Sequence, residues 1–282
     1  MHIRAFFDTV STILATKTDE PVYTTLAEEL SRKSGRPVSV RRGSPSAASH
    51  RELGVSLVEG DEPTCTVRAT DRDGVVLETS ALHLLFGTLC FLYDYRGEVD
   101  LAATAEGKLD VSAPFRWNRP SFDSLLTQVL RTARGFDWRD HIRAHALAGF
   151  SHMEVNALST GHGIEPRVPY EVYPIFYHYC AALDQFSSSK LNRGVYPETY
   201  LAANMSLLKR YAAEARRYGM KPGMLCFEPR NVPDQLLERY PMLRGARVDH
   251  PFRSLKPRYS LALAHPYVRH HYRELLLNIL RE

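Results

Sequence analysis

The sequence predicts an α/β protein: a small α/β layer over residues 1–97, a connector over 98–136, and the opening part of a (β/α)8 barrel over 137–282. Three observations carry this reading. Short alternating apolar and polar segments, separated by turn signals, fill the first hundred positions. Past Asp137 the pattern becomes helix, strand, long loop, helix, strand, and each apolar strand runs straight into polar residues. Only about 145 residues follow Asp137, whereas eight strand–helix units take ~250.

In the first region, Thr25-Leu26-Ala27-Glu28 has the Thr-x-x-Glu spacing of a capping box, which places a helix start at Thr25. Leu26 and Leu30 share a face, and Gly35 with Pro37 ends the helix. Val38–Val40 and Val55–Val58 alternate as half-buried strands, joined through the loop-like 43–49. Cys65–Ala69 and Val75–Thr79 flank Asp71-Arg72-Asp73-Gly74 and predict a β-hairpin. Ser80–Tyr93 is apolar on nearly every side, as a sandwiched helix is. Residues 97–122 lack periodicity and contain Pro114, Pro120 and Gly107, as a connector does.

In the second region Trp138–Gly149 reads as a lead-in helix and His152–Leu158 as a strand. A helix over Pro197–Tyr218 carries Leu201, Met205, Leu208 and Ala212 as its apolar stripe, with Lys209, Arg210 and Glu214 on the remainder. Gly219 stops it, and Gly223–Phe227 is the next strand, leading into Glu228-Pro229-Arg230. A last helix starts near Pro266, with Val268, Tyr272, Leu275, Leu276 and Ile279 as its stripe.

Composition narrows the function classes. Hydrophobic residues make up 44% and charged residues 24%, ordinary for a globular chain. The net charge of +4 is small and evenly spread, so no nucleic-acid footprint is expected. No apolar run of ~20 residues exists and the N-terminus has no secretory h-region, so no membrane span and a cytoplasmic location are expected. The four cysteines are widely separated and read as buried reduced thiols. His270 and Glu274 have helical spacing without His-Glu-x-x-His, so no metal is expected. Neither a phosphate loop nor a Gly-x-Ser-x-Gly elbow occurs, which leaves no expected cofactor and no serine-hydrolase nucleophile.

The helix-then-strand His141–Asn156, following a small α/β domain and an Arg-containing connector, resembles the barrel opening of α-glucuronidases and β-N-acetylhexosaminidases. Tyr211–Gly223 is similar to the first barrel helix and second strand of α-glucuronidases, and Ala264–Arg269 to the start of their second helix. The resemblance implies a TIM-type barrel preceded by an accessory domain like hexosaminidase domain 2. It also implies cleavage of O-glycosidic bonds by paired carboxyl groups that later strands supply. On that basis the chain is a truncated part, inactive by itself and with an open sheet edge. The long aromatic loop 166–196 departs from the α-glucuronidase pattern.

In such barrels chemistry sits beyond the C-terminal ends of the strands. Asn156 and Glu154 share one face of the first strand, opposite Met153 and Val155, and suit sugar hydroxyls. Glu228 and Arg230 follow the second strand; Arg230 could hold a carboxylate in a bidentate fork. Glu154 and Glu228 could together form the acid–base pair of a glycosidase, although the resemblance points to later strands. His162 lies in a glycine-flanked loop, and Tyr177 and His178 in the aromatic run 170–179, where ring faces can stack on sugars. A bland reading stands beside each: a buried polar network for Glu154 and Asn156, an ion pair for Glu228 and Arg230, a turn for His162, a self-packed lid for the aromatic run. Arg116–Arg119 could reach the barrel mouth or join the two regions. The partner expected is a carbohydrate ligand, with an oligomer possible. The alternative to a glycosidase is a non-catalytic carbohydrate-binding or assembly protein.

Overall fold

The structure of the protein is a computed structural model that describes residues 2–18, 20–113, 116–119, 137–156, 182–224, 226, 228–229, 231–248 and 257–282. The chain divides into two units, one of residues 1–121, 137–153 and 212–222, the other of 122–136, 154–211 and 223–282.

The first unit is built on a mixed six-stranded sheet. Its strands are β1 (Thr12–Ala15), β2 (Ser39–Arg42), β3 (Glu52–Leu57), β4 (Thr64–Ala69), β5 (Val75–Thr79) and β6 (Lys108–Ser112), in the order β2-β1-β3-β5-β4-β6. β2, β1, β3 and β5 run parallel, and β4 is antiparallel to β5 and β6. The hairpin of β4 and β5 closes as the sequence predicts, with Asp73 at φ 61° and Thr70 Oγ1 accepting the Gly74 N–H at 3.0 Å. β1 has no alternation to betray it. Ile13, Leu14 and Ala15 are all buried, because a central parallel strand is covered on both faces. β6 lies within the stretch read as a connector; its period of two, with Leu109 and Val111 half-buried between exposed neighbours, marks an edge strand.

Among the described residues, four α-helices accompany this sheet: α1 (Ile3–Thr9), α2 (Pro21–Ser34), α3 (His83–Cys90) and α4 (Trp138–Leu147). α2 begins a turn earlier than its Thr-x-x-Glu spacing suggests. Pro21 occupies the first turn, where its fixed φ and missing N–H cost nothing. Thr25 is therefore inside the helix and donates to the Pro21 carbonyl at 2.9 Å instead of capping. The helix stops at Gly35, φ 70°, as expected. α3 buries His83, Leu84, Leu85, Phe86 and Leu89, which agrees with a sandwiched helix. At Gly87 it meets the turn after α4 so closely that a Cβ would lie 2.8 Å from Gly149 Cα. On the other face of the sheet the 45–48 segment presses onto Gly54, where a Cβ would lie 2.2 Å from the Pro45 carbonyl oxygen.

Glu29 of α2 is 1% exposed and accepts from Arg143 Nε at 2.8 and 2.9 Å and from Arg32 Nη1 at 2.8 Å. Tyr218 Oη, just past the long helix α5 (Glu198–Arg217), lies 3.4 Å away. Beside it Arg217 pairs with Glu28 at 2.6 Å and with Glu214 at 3.1 Å. Glu214 is thus buried rather than on an exposed face, as its sequence position had suggested.

After α4 comes β7 (His152–Glu154), and after α5 comes β8 (Lys221–Gly223); the two strands pair. Lys221 N–H donates to the Ser151 carbonyl at 2.9 Å and Val155 N–H to the Gly223 carbonyl at 3.0 Å. Both bonds advance in the same direction along the two segments, so the strands are parallel. β7, α5 and β8 form the strand–helix–strand crossover that the sequence predicts. The strand bounds differ from those predicted: β7 spans His152–Glu154, and β8 begins two residues earlier than expected and spans Lys221–Gly223, while Leu225 and Phe227 lie outside the described residues.

The second unit also contains α6 (Asp234–Arg239), the antiparallel pair β9 (Arg244–Arg247) and β10 (Tyr259–Leu261), and α7 (Pro266–Arg281). Tyr196, Leu201, Leu236, Leu243, Leu261 and Val268 centre its core. In α7 the buried stripe is Val268, His271, Leu275 and Ile279; Leu276 is 42% exposed, contrary to the sequence reading. Of the cysteines, Cys65 is buried as expected, Cys90 is half-buried and Cys226 is exposed; Cys180 lies outside the described residues. No helix among the described residues is long and apolar enough to cross a membrane.

Replacing Glu29 by Ala strands the Arg143 guanidinium and should cost about 3–5 kcal/mol in urea denaturation. A fall below ~1 kcal/mol would contradict a structural role for the buried carboxylate. His83 supplies a pH signature: burial, with His152 and Lys221 nearby, lowers its pKa from 6.5 to about 4. The unfolded chain binds this proton more readily, so the contribution is complete above pH ~6.5 and is lost as the pH falls towards 4, on the order of 3 kcal/mol. Urea midpoints measured across that window should decline, and less steeply in His83→Leu.

Candidate functional site

β7 and β8 leave their shared ladder at the same end because they are parallel. Glu154 closes β7, Asn156 follows two residues on, and Glu228 follows β8 by five. Three of the sequence-predicted residues thus emerge from one end of the strand pair. Arg230, His162, Tyr177 and His178 lie outside the described residues.

Both faces of β7 are covered, the one with Glu154 and Asn156 as well as the one with Met153 and Val155. Ser151 through Asn156 are all buried, with Met153 and Val155 at 3%, Glu154 at 5% and Asn156 at 1% exposure. A parallel strand covered on both sides has this profile. Glu154 and Asn156 both engage other groups, as buried polar side chains must.

Glu228 reaches a different part of the chain. Its Oε1 accepts the Leu183 N–H at 2.9 Å, the first N–H of a short 3-10 turn over Leu183–Gln185. Its Oε2 is buried without a hydrogen-bond partner among the described residues. The same turn carries Asp184, 6% exposed, and Gln185, fully buried. Gln185 Oε1 accepts the Ala182 N–H at 2.8 Å, and its Nε2 lies 3.3 Å from Tyr200 Oη. Asn204 of α5 donates to the Gln185 carbonyl at 2.9 Å and keeps a buried Oδ1 without a partner among the described residues. Asn231, 5% exposed, has a buried Nδ2 in the same state.

Sequence reasoning missed Asp184, Gln185, Asn204 and Asn231. For Asn204 a signal existed: it lies three residues from Leu201 and four from Leu208, within an otherwise apolar stripe. The 3-10 turn had none. Chemically, the arrangement offers carboxylates at Glu154, Asp184 and Glu228 and amides at Asn156, Gln185 and Asn231. Such groups fit a ligand rich in hydroxyls, and the unpaired Glu228 Oε2 is an acceptor awaiting a donor.

The opposite end of β7 is structural. Ser151 and His152 N–H groups both donate to the Asn118 carbonyl, at 2.9 and 3.0 Å, and Asn118 N–H donates to Ser151 Oγ at 2.7 Å. Trp117 stacks on the His152 ring at 3.8 Å. The 116–119 segment therefore fastens the start of the strand, away from the end where Asn156 emerges.

Glu228→Ala removes the acceptor of the Leu183 N–H and should cost about 1–3 kcal/mol by urea denaturation. Glu228→Gln retains an acceptor oxygen and should stay within ~1 kcal/mol of the parent; equal losses in both variants would show that the bond to Leu183 is not what matters.

No family model matches the sequence, and no curated protein matches it. Solved structures do. The family 89 glycoside hydrolase from Clostridium perfringens, bound to 2-acetamido-1,2-dideoxynojirmycin, superposes with a TM-score of 0.53 at 10% identity, over 94% of this chain and 31% of that one. The same hydrolase with its substrate GlcNAc-α-1,4-galactose gives 0.52 at 10% identity, over 93% and 31%. The family 20 β-N-acetylhexosaminidase from Streptomyces coelicolor gives 0.50 at 15% identity, over 97% and 53%. This chain thus spans 31% to 53% of the length of these structures. What the likeness shows is the fold: a mixed α/β, glycoside-hydrolase-like architecture with a parallel-strand sheet.

Proposed function

We propose that the protein is carbohydrate-active and that residues 137–282 form the opening of a (β/α)8 barrel of the glycoside-hydrolase type, with residues 1–97 as an accessory layer. The observation that supports this most directly is the parallel pairing of β7 and β8, with Glu154, Asn156 and Glu228 leaving it at one end. In barrels of this kind that end is where ligands bind. Asn156 and Glu154 act as fixed hydrogen-bonding groups at the first strand, and Glu228 offers its unpaired oxygen to a sugar hydroxyl. Cleavage of an O-glycosidic bond then uses two carboxyl groups, one protonating the leaving oxygen and the other acting as nucleophile or base. Later strands of the longer protein are the proposed source of that pair. Arg230, His162, Tyr177 and His178 complete the sugar-contacting set.

The neighbours' bound ligands contain 2-acetamido sugars, so N-acetylglucosamine is the first ligand to test. Isothermal titration of the sugar should give saturable binding, weakened about tenfold in Asn156→Ala and in Glu228→Gln, the loss of one hydrogen bond each. In parallel, α- and β-linked aryl N-acetylglucosaminides are screened for turnover. Absence of saturable binding together with absence of turnover overturns the carbohydrate reading; binding without turnover assigns the catalytic pair to residues outside this chain.

A further inference from the structure

A cleft of about 540 Å³ opens in the second unit between the turn at Ser189–Leu191, the Tyr240–Leu243 segment and the start of α7. Its size is that of a small-ligand pocket. None of the groups assigned to the strand-end site lines it. Leu191, Leu243, Tyr240 and Tyr267 give it apolar and aromatic walls.

Its polar group is out of place for a merely structural helix. The stripe that α7 buries is Val268, His271, Leu275 and Ile279, and an amphipathic helix ordinarily fills each such position with an apolar residue. His271 is 3% exposed, and burial lowers its pKa to about 4, so the ring is neutral near pH 7. Its Nδ1 lies 2.7 Å from Ser189 Oγ, and that oxygen already accepts the Leu191 N–H at 3.0 Å. The hydroxyl oxygen keeps a second lone pair, so Ser189 can accept from Nδ1–H or donate to Nδ1. When serine donates, the single proton of the neutral ring is on Nε2, and a buried ring donor is left for a ligand in the cleft.

Charge narrows the ligand further. At the rim Glu274 lies 3.7 Å from the His270 ring. Lys190, exposed and adjacent to Ser189, makes no ion pair among the described residues, and its ammonium is the cation on the Ser189 side of the aromatic walls.

We propose that this cleft is a second ligand site, separate from the strand-end site, that takes a small aromatic monocarboxylate. The ring of the ligand lies against Tyr240, Tyr267 and Leu243, and its carboxylate accepts from His271 Nε2–H while facing the Lys190 ammonium. The site does not depend on the glycoside-hydrolase reading.

Benzoate, with benzyl alcohol as its neutral counterpart, tests this directly by titration of the protein carrying isotope-labelled histidine. Benzoate should shift the His271 Nε2 resonance saturably and bind about tenfold tighter than benzyl alcohol. Lys190→Gln should bring the two probes to within about threefold of each other, and Ser189→Ala, which removes the hydroxyl donor to Nδ1, should weaken benzoate about tenfold. His271→Phe keeps the helix stripe filled and should abolish the preference for benzoate, while Glu228→Gln should leave both affinities unchanged. No saturable shift at His271, equal affinity for the two probes, or benzoate binding that survives His271→Phe overturns the proposal.

Discussion

The buried carboxylate of Glu29 is the constraint on which the placement of the strand pair rests. Taking a charge out of water is costly unless opposite charge and hydrogen bonds surround it. Here Arg143 supplies a guanidinium nitrogen to both oxygens, Arg32 a second cation, and Tyr218 a hydroxyl. The hydrogen bond to Glu29 in turn raises the Arg143 pKa. Each partner has a structural address: Arg143 is in α4, which leads into β7, and Tyr218 follows α5, which leads into β8. One side chain of the sheet layer thus references both helices from which the parallel strands start. Gly87 and Gly149 reinforce the same registration, because the approach of α3 to the turn after α4 leaves no room for a side chain.

The two ends of the strand pair then divide their labour. At the start of β7, Asn118 and Ser151 exchange hydrogen bonds and Trp117 covers His152, so these groups are paired within the protein itself. At the exit, carboxylates and amides are buried with capacity left over, at Glu228 Oε2, Asn204 Oδ1 and Asn231 Nδ2. Interiors rarely leave such atoms unpaired. Unspent hydrogen-bonding capacity at this end is what the proposed ligand-binding end requires.

Helix α7 shows the same economy in a smaller setting. Its sequence reads as a regular amphipathic helix, and the positions of Val268, Leu275 and Ile279 in the core agree. The remaining buried position belongs to His271; Tyr272, half-buried, packs against the same core, and Leu276 is exposed. Hydrophobicity locates a stripe; it does not say that a polar residue such as His271 joins it. Its place there follows from Ser189, which gives the histidine a partner.

Local chemistry alone determined the crossover of helix, strand, helix and strand, the β4–β5 hairpin, the stop at Gly35 and the emergence of Asn156 and Glu228 beyond their strands. These follow from periodicity and turn residues acting over a few positions. Tertiary structure decided the rest. β1 is covered on both faces and so carries no alternation; Thr25 became an interior helix residue because Pro21 started α2 first. Asp184, Gln185 and Asn231 acquired their burial only when distant segments met. Periodicity is a property of neighbours in sequence, whereas the pairing of Glu228 with Leu183 or of Glu29 with Arg143 exists only once the chain has folded back on itself.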